Sequence, residues 1–458
     1  MGNFWAIAGA AFLFLPAVAG DGTTAAALRD KALTDPTAWK VLESLSYEVG
    51  PRPVGSPAYE QARDWAVAKF KELGFTDIKV EPFAKPSWKR GAESAEIIGP
   101  HAQNLAIIGL GGSKPTPKAG IEAEIAVLPS LDVLMAAAPG AYSGKIVMVN
   151  QPTVRAEDGA GYGGAVRARY AASEAARRGA VAYLVRSIST GTGRSPHTGY
   201  MRYVDDAPKI PCAALGVPDA DLLAYLASAG PVRIRLKLAS TEQPKTTAWT
   251  ISGEIKGSKH PDEIVVIGGH IDSWDSGLGA IDDAAGIAIT TAAARLVAGL
   301  HPARTIRVVM WGSEETTGSS VAYLETHKDE VPRIVAVGES DVGADRIVSL
   351  MLPSDVAAKS VLAPLADLLA PLKIMISREP VRDAGADVED LVKAGVPAFA
   401  FKQDASRYFD YHHSADDTPA IVDTNQLNQN VAAWASLLYL LADSDVNLRA
   451  KPSSASPN

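Results

Sequence analysis

Within AYEQARDWAVAKFKELGF the apolar residues Ala62, Trp65, Ala66, Phe70 and Leu73 recur at three- and four-residue spacings, which predicts a helix opened by Ser56-Pro57 and stopped by Gly74. FTDIKVEPF and AEIIGP then read as strands, and GLGGSKPTPKAG, from Gly109 to Gly120, has the Gly/Pro/Lys composition of a linker. A domain boundary is expected near residue 113. Between about 120 and 240, KIVMVN and AVAYLVRS flank the helical stretch ARYAASEAARRGA, the outline of a small α/β insert, and STEQPKTTAW forms a second linker. Beyond it the apolar runs EIVVIGG, TIRVVMW and RIVAVGESD alternate with the helical stretches AGIAITTAAARLVAGL and SSVAYLETHKDE. Strands that are apolar throughout and joined by helices predict an α/β fold with a mixed, mostly parallel sheet covered by helices on both faces. The expected segments are a leader at 1–19, a main domain in two parts at 24–112 and 244–446, the insert at 113–243, and a disordered tail at 447–458.

The chain ends and its charge narrow the function. An apolar run from Phe4 to Val18 closes on Ala17-Val18-Ala19, the small-x-small pattern that signal peptidase cleaves, so the protein is expected in the periplasm or outside the cell. The alternative is an N-terminal anchor, because no Lys or Arg precedes the run. No later segment is long and apolar enough to span a bilayer, so no stable membrane insertion is expected after processing. A net charge of -8 without any Lys/Arg run argues against a nucleic-acid partner and for a small solute. Cys212 is the only cysteine, which excludes an intrachain disulfide and thiolate-held structural zinc. Any metal must sit on histidines and carboxylates.

Those residue types collect at strand ends. EIVVIGG runs into His270-Ile271-Asp272, where Asp272 is placed to orient His270 as a metal ligand. GLGAIDDAAG carries Asp282 and Asp283 ahead of a helix, a pair that by itself suits helix capping. TIRVVMW leads to Glu314-Glu315 and RIVAVGES to Asp341. Three successive strand ends thus deliver His270, the glutamate pair and Asp341 to the rim where α/β sites form, and so many acids together call for a multiply charged cation. YHHSADDT adds His412 and His413, of which one suffices. Imidazole and carboxylate ligands suit zinc, with cobalt or manganese also compatible. There is no His-Glu-x-x-His helix and no Gly-x-Ser-x-Gly elbow.

The segments VGPRPVGSPAYEQARDWA, GGHIDSWDSGLGAIDDAAG and WGSEETTG, in this order and spacing, resemble the co-catalytic zinc exopeptidases that include glutamate carboxypeptidase and bacterial aminopeptidases. The middle region, with SPHTGY and APKIPCAALGVPDAD, resembles that family's protease-associated insert. The resemblance implies two zinc ions per chain and hydrolysis of short peptides. It makes Asp282 the carboxylate shared by both metals, with His270 and Asp341 at one and Glu315 and His413 at the other. Glu314 becomes the general base, and His412 takes a position that supports the tetrahedral intermediate. Glu339, two residues before Asp341, is a competing ligand that the family pattern does not favour. A homodimer is implied as well.

Either a dipeptidase-like carboxypeptidase or an aminopeptidase fits this metal set. The first needs a cation for the substrate carboxylate and the second a free acid for the ammonium. REPVRDAGADVEDL offers both, in Arg378, Arg382, Asp383 and Asp387, and so leaves the choice open. A non-catalytic binding module is the remaining alternative, against which the full ligand set argues.

Overall fold

The computed structural model describes residues 22–353, 362–444 and 449, so the leader expected at 1–19 and, apart from Arg449, the tail expected at 447–458 lie outside the described residues. At the centre is a five-stranded sheet in the order Thr76–Ala84, Thr247–Ile255, Arg304–Trp311, His260–His270, Ile334–Glu339. The last three strands run parallel, and the first two join antiparallel at one edge. The sheet is therefore mixed, with its pairings evenly divided where a mostly parallel sheet was expected. The reason is local: only a few residues separate Ile255 from His260, too few for a crossover helix.

Alternation along the strands explains the two covered faces. On the Arg304–Trp311 strand Ile306, Val308 and Met310 face one core, and Val309 and Trp311 face the other. The first core is closed by the Ala285–Ala298 helix, buried along almost its whole length beneath the Gly22–Ala32, Thr37–Ser44 and Thr424–Ala442 helices. The second is closed by Tyr323, Val388 and Leu391 from helical segments on the opposite side. Each fully buried aliphatic side chain contributes about 1.5–3 kcal/mol, which makes these strands a stiff base for the residues that follow them.

The helix expected after Ser56 spans Pro57–Glu72, with Ser56 Oγ accepting from the Tyr59 N–H. Tyr59 ties this helix to the rim: its hydroxyl donates to the Gly312 carbonyl at 2.5 Å and accepts from the Trp249 N–H at 2.9 Å.

An eight-stranded sheet holds the region expected as an insert, and none of its strands pairs with the central sheet. It begins at Ser87, so the boundary expected near 113 is too late. Strand Ser87–Ile98 pairs with Arg233–Gln243, and where the chain leaves this sheet at Gln243 it must also have entered beside it. The Gly/Pro-rich segment at 109–120 is a loop within the sheet: the Leu110 N–H donates to the Cys212 carbonyl and that of Thr116 to the Leu238 carbonyl. Among the described residues no helix is long and apolar enough to cross a membrane.

Candidate metal centre

Strand register brings the acids together. His270 pairs with Trp311 and Gly268 with Glu339, so Asp272, Ser313-Glu314-Glu315 and Asp341 leave three adjacent parallel strands at one level. His270 Nε2 lies 3.0 Å from Asp282 Oδ1 and 3.3 Å from Asp341 Oδ1. His413 Nε2 lies 3.2 Å from Asp282 Oδ2 and 3.0 Å from Glu315 Oε2. One carboxylate thus faces an imidazole with each oxygen. Two groups of convergent ligand atoms result, His270, Glu314 and Asp341 in one, and Asp282, His412 and His413 in the other.

Hydrogen bonds hold each member from behind. His270 Nδ1 meets the backbone carbonyl of Asp272 at 2.9 Å, while the Asp272 carboxylate oxygen stands at 3.5 Å and accepts instead from the Glu314 N–H at 3.0 Å. Asp272 therefore orients His270 through its main chain, and the side chain expected to do so positions Glu314. Asp283 is a brace: its oxygens accept from the N–H groups of His270 and Gly286. Asp417 accepts from those of Ala280 and Ile281, fixing the turn that presents Asp282. His413 has φ 62°, an unusual conformation for a side chain with a Cβ, and its Nδ1 meets the Thr198 carbonyl at 3.3 Å. His412 stacks on His413 with ring centroids 3.5 Å apart, its Nε2 3.6 Å from Asp282 Oδ2. Glu339 belongs to neither ligand group and accepts from the Asp387 N–H.

Burial and mutual repulsion dominate the electrostatics. Burial, then Asp341, pushes the Glu314 carboxyl well above its usual range, and burial lifts Glu315 to about 7 against the pull of His413. Burial opposes ionisation of Asp282 too, yet His270 and His413 hold it well below the carboxylate range. Despite burial, Glu315 and Asp282 raise His413 to about 10, whereas burial and His413 push the His412 imidazole well below its usual value.

The residues fit metal. Asp282 Oδ2, Asp341 Oδ1 and both Glu315 oxygens are buried without a hydrogen-bond partner, although imidazole nitrogens stand 3.0–3.3 Å away. Lone pairs that converge without sharing a proton are the mark of ligands to a common cation, and an all-imidazole and carboxylate set suits zinc. His270, Glu314 and Asp341 in one group and Asp282, His412 and His413 in the other would hold it, with the Glu315 carboxylate 3.0 Å from His413 Nε2. Cys212 is buried on a strand of the eight-stranded sheet, apart from both groups.

The turn between these ligands depends on a residue that sequence reasoning did not single out. Arg52 is fully buried and donates to the carbonyls of Gly50, Ile271, Leu278 and Gly279 at 2.6–3.3 Å. Gly279 has φ 60°, and a Cβ there would stand 2.7 Å from Arg52 Nη1. Leaving several buried carbonyls without donors costs roughly 1–3 kcal/mol each, so Arg52→Met is expected to lower stability by about 3 kcal/mol or more. Urea unfolding measures this, and a loss below about 1 kcal/mol means that the turn holds without Arg52.

Two imidazole and carboxylate groups around a shared aspartate, at the carboxyl ends of parallel strands, define a co-catalytic di-zinc hydrolase. Residues 250–438 match peptidase family M28. Human carboxypeptidase Q is 37% identical over 426 residues, covering 90% of this chain and 88% of that protein, and the Xenopus laevis protein of the same name is 38% identical over 400 residues, covering 86% and 83%. The crystal structure of a peptidase M28 precursor from Shewanella amazonensis superposes with a TM-score of 0.90 at 40% identity, covering 94% of this chain and 98% of that one. A zinc aminopeptidase from Bacillus subtilis shares the fold alone, at 19% identity and a TM-score of 0.66 over 91% of this chain and 96% of its own. The chain belongs to peptidase family M28, and it is a zinc metallopeptidase of the exopeptidase type.

Proposed function

We propose that this exopeptidase is a dipeptidase-like carboxypeptidase. The observation that carries the proposal is the charge on the wall of the cavity over the ligands, which has a volume of about 560 Å³. Of its acids, Asp282, Glu314 and Asp341 belong to the ligand groups and Glu315 stands 3.0 Å from His413 Nε2, and apart from the histidines its remaining charged side chains are Arg169 and Arg202. Cations are available for a substrate carboxylate, and no acid is left for an ammonium. Arg378, Arg382 and Asp383 are exposed, and Asp387 is buried against Ser319 and Glu339, so none of these four lines the cavity.

Zinc, when bound, supplies Lewis-acid polarisation of the scissile carbonyl and a water of lowered pKa. Glu314 is the base in this proposal: it is half-buried on the cavity wall, while Glu315 beside it is buried with both oxygens unpartnered. Glu314 takes the proton of the attacking water and passes it to the leaving amine. His412 donates toward the oxygen that gains charge. The region from Ser87 to Gln243 acts as the protease-associated insert, closing the cavity and buttressing His413 through Thr198.

Free, amino-blocked and carboxyl-blocked dipeptides assayed in parallel test the proposal. Cleavage of the free dipeptide and loss of cleavage on carboxyl amidation are expected. Loss on amino blocking alone transfers the assignment to an aminopeptidase, the alternative supported by the shared fold. The Phe4–Val18 run supports export, which an N-terminus beginning after Ala19 in the mature protein tests. Homodimerisation rests on the family resemblance, and light scattering decides it.

A further inference from the structure

The Ser87–Ile98 strand enters the insert with a bulge, in which Gly91 and Ala92 stand opposite the single residue Ala239. Glycine is required there, because a Cβ at residue 91 would stand 2.2 Å from the Ala239 carbonyl oxygen. Residues three apart on a regular strand face opposite sides. The extra residue turns Arg90 and Glu93 to the same side, with Arg90 Nη1 3.3 Å from Glu93 Oε1. From this position the Arg90 side chain, 11% exposed, crosses to the main domain. Its Nε and Nη2 donate to the two oxygens of Asp275 at 2.9 and 3.0 Å, a paired contact of the strong, oriented kind. Nη2 also donates to Thr198 Oγ1 at 3.1 Å, and Nη1 to the Gly109 carbonyl. Asp275 lies on the loop between His270 and Asp282, whereas Thr198 and Gly109 belong to the insert. One guanidinium therefore joins the two regions. Beside Asp275, Trp274 is buried against Gly111 of the insert, where a Cβ would stand 2.2 Å from the indole, and its ring centroid lies 5.7 Å from that of His413.

Thr198 connects this joint to the metal centre. Two imidazoles flank Asp282, and each is backed by a main-chain carbonyl: His270 Nδ1 by that of Asp272 at 2.9 Å, and His413 Nδ1 by that of Thr198 at 3.3 Å. The first carbonyl comes from the main domain and the second from the insert. A carbonyl only accepts, so Nδ1 carries the proton and Nε2 is the nitrogen left for a metal. The Thr198 N–H donates in turn to the His413 carbonyl at 3.0 Å, and together these contacts hold a histidine at φ 62°. Thr198 is itself fully buried, its hydroxyl donating to the Gly109 carbonyl at 2.9 Å while accepting from Arg90. We propose that Arg90 is a positioning residue for the metal centre: it fastens the insert to the loop between His270 and Asp282 and holds Thr198 against His413, so that the His413 group binds zinc tightly only while the insert is seated. The proposal rests on the di-zinc reading of the site and not on which peptide terminus is recognised. The His270 group, backed from within the main domain, does not share this dependence. By linkage, zinc bound at the His413 group also seats the insert.

The test titrates the zinc-loaded full chain with a competing chelator and reads the affinity of each of the two zinc ions. Arg90→Met should weaken one ion by about 10–100-fold, the scale for a ligating histidine that loses its support, and leave the other unchanged. Arg90→Lys should recover only part of that affinity, since an ammonium can meet Asp275 but lacks the planar fork that reaches Thr198 and Gly109 as well. In His413→Gln, where the dependent ion is already lost, adding Arg90→Met should leave the affinity of the remaining ion unaltered. Hydrogen exchange gives the reciprocal measurement: zinc should slow exchange of the Thr198 N–H in the unaltered enzyme, and less so in Arg90→Met. Unchanged affinities for both ions overturn the proposal, as does an equal loss from both, which marks a general loosening. Should Arg90→Met fail to fold, Asp275→Asn decides, because Asp275 is 30% exposed and its replacement keeps the shape of the joint. The same selective weakening, smaller in size, is expected there, and its absence refutes the proposal. If the unaltered enzyme binds fewer than two zinc ions, the di-zinc reading itself fails, whereas two ions held as tightly in the variants as in the unaltered enzyme remove only the role of Arg90.

Discussion

Asp282→Ala, purified in the presence of zinc, is expected to lose both metal ions, falling from about two per chain to well below one. The geometry makes this residue different from the other ligands. Its Oδ1 faces His270 at 3.0 Å and its Oδ2 faces His413 at 3.2 Å, so one substitution removes a carboxylate oxygen from beside an imidazole of each group. Without the shared carboxylate the His413 group loses its only acid and the His270 group loses the oxygen beside its imidazole, so neither is expected to close around a cation. Since a metal bound only to the native state stabilises it by mass action, a chelator should lower the Tm of the unaltered protein and leave that of Asp282→Ala unmoved. Asp283→Asn provides the contrast: Asp283 accepts from two backbone N–H groups and faces no imidazole nitrogen, so its loss should reduce stability before it reduces zinc content. Two tightly held zinc ions in Asp282→Ala, by elemental analysis, would show that the bridge lies elsewhere.

The convergence of these acids and imidazoles was readable in the sequence because most of them follow apolar strands, and strand ends are where a parallel α/β sheet collects polar groups. His270, Glu314-Glu315 and Asp341 each come directly after such a run, and the register of the three strands sets them level. The helix after Ser56 was equally legible, since both its cap and its stop are local signals. What escaped depends on long-range pairing. The start of the second sheet at Ser87 is set by a partner strand ending at Gln243, 156 residues away, and nothing near Ser87 announces it. The Gly/Pro-rich segment at 109–120 carries the composition of a linker but serves as a loop within that sheet, because composition records chain flexibility and not where the chain goes next.

Arg52 escaped for another reason. Arginine is normally exposed, so in a sequence it looks like a surface residue. Only the surrounding carbonyls reveal its role. Asp272 shows a subtler limit. The His-x-Asp spacing correctly placed it beside His270, but spacing does not tell a backbone carbonyl from a carboxylate, and the carbonyl occupies the ring nitrogen. The choice of His413 over His412 came from the family resemblance, and the structure brings both into one ligand group. His413 adopts φ 62° and reaches both Asp282 and Glu315, while His412 stacks behind it within 3.6 Å of Asp282 alone.

Glu314→Gln is expected to abolish turnover while zinc content and substrate affinity stay near normal, with Glu315→Gln as its counterpart. Glu314 and Glu315 sit at a turn closed by the Thr317 N–H on the Glu314 carbonyl, and their side chains lie in two environments. Glu315 is buried with both oxygens unpartnered and one of them 3.0 Å from His413 Nε2, the setting of a ligand. Glu314 stands on the cavity wall, half-buried, with its backbone N–H held by Asp272 at 3.0 Å, the setting of a group that meets substrate. Removing a positioned base costs about a hundred- to ten-thousand-fold in rate, and glutamine preserves shape and hydrogen bonding while accepting no proton. In Glu315→Gln the fall in activity should accompany lowered zinc occupancy and recover in part with added zinc, as loss of a ligand requires. Zinc content and single-turnover rates, measured for both variants at saturating dipeptide, separate the two roles. An exchange of these behaviours means that base and ligand are interchanged, and near-normal turnover in Glu314→Gln removes it from the chemistry.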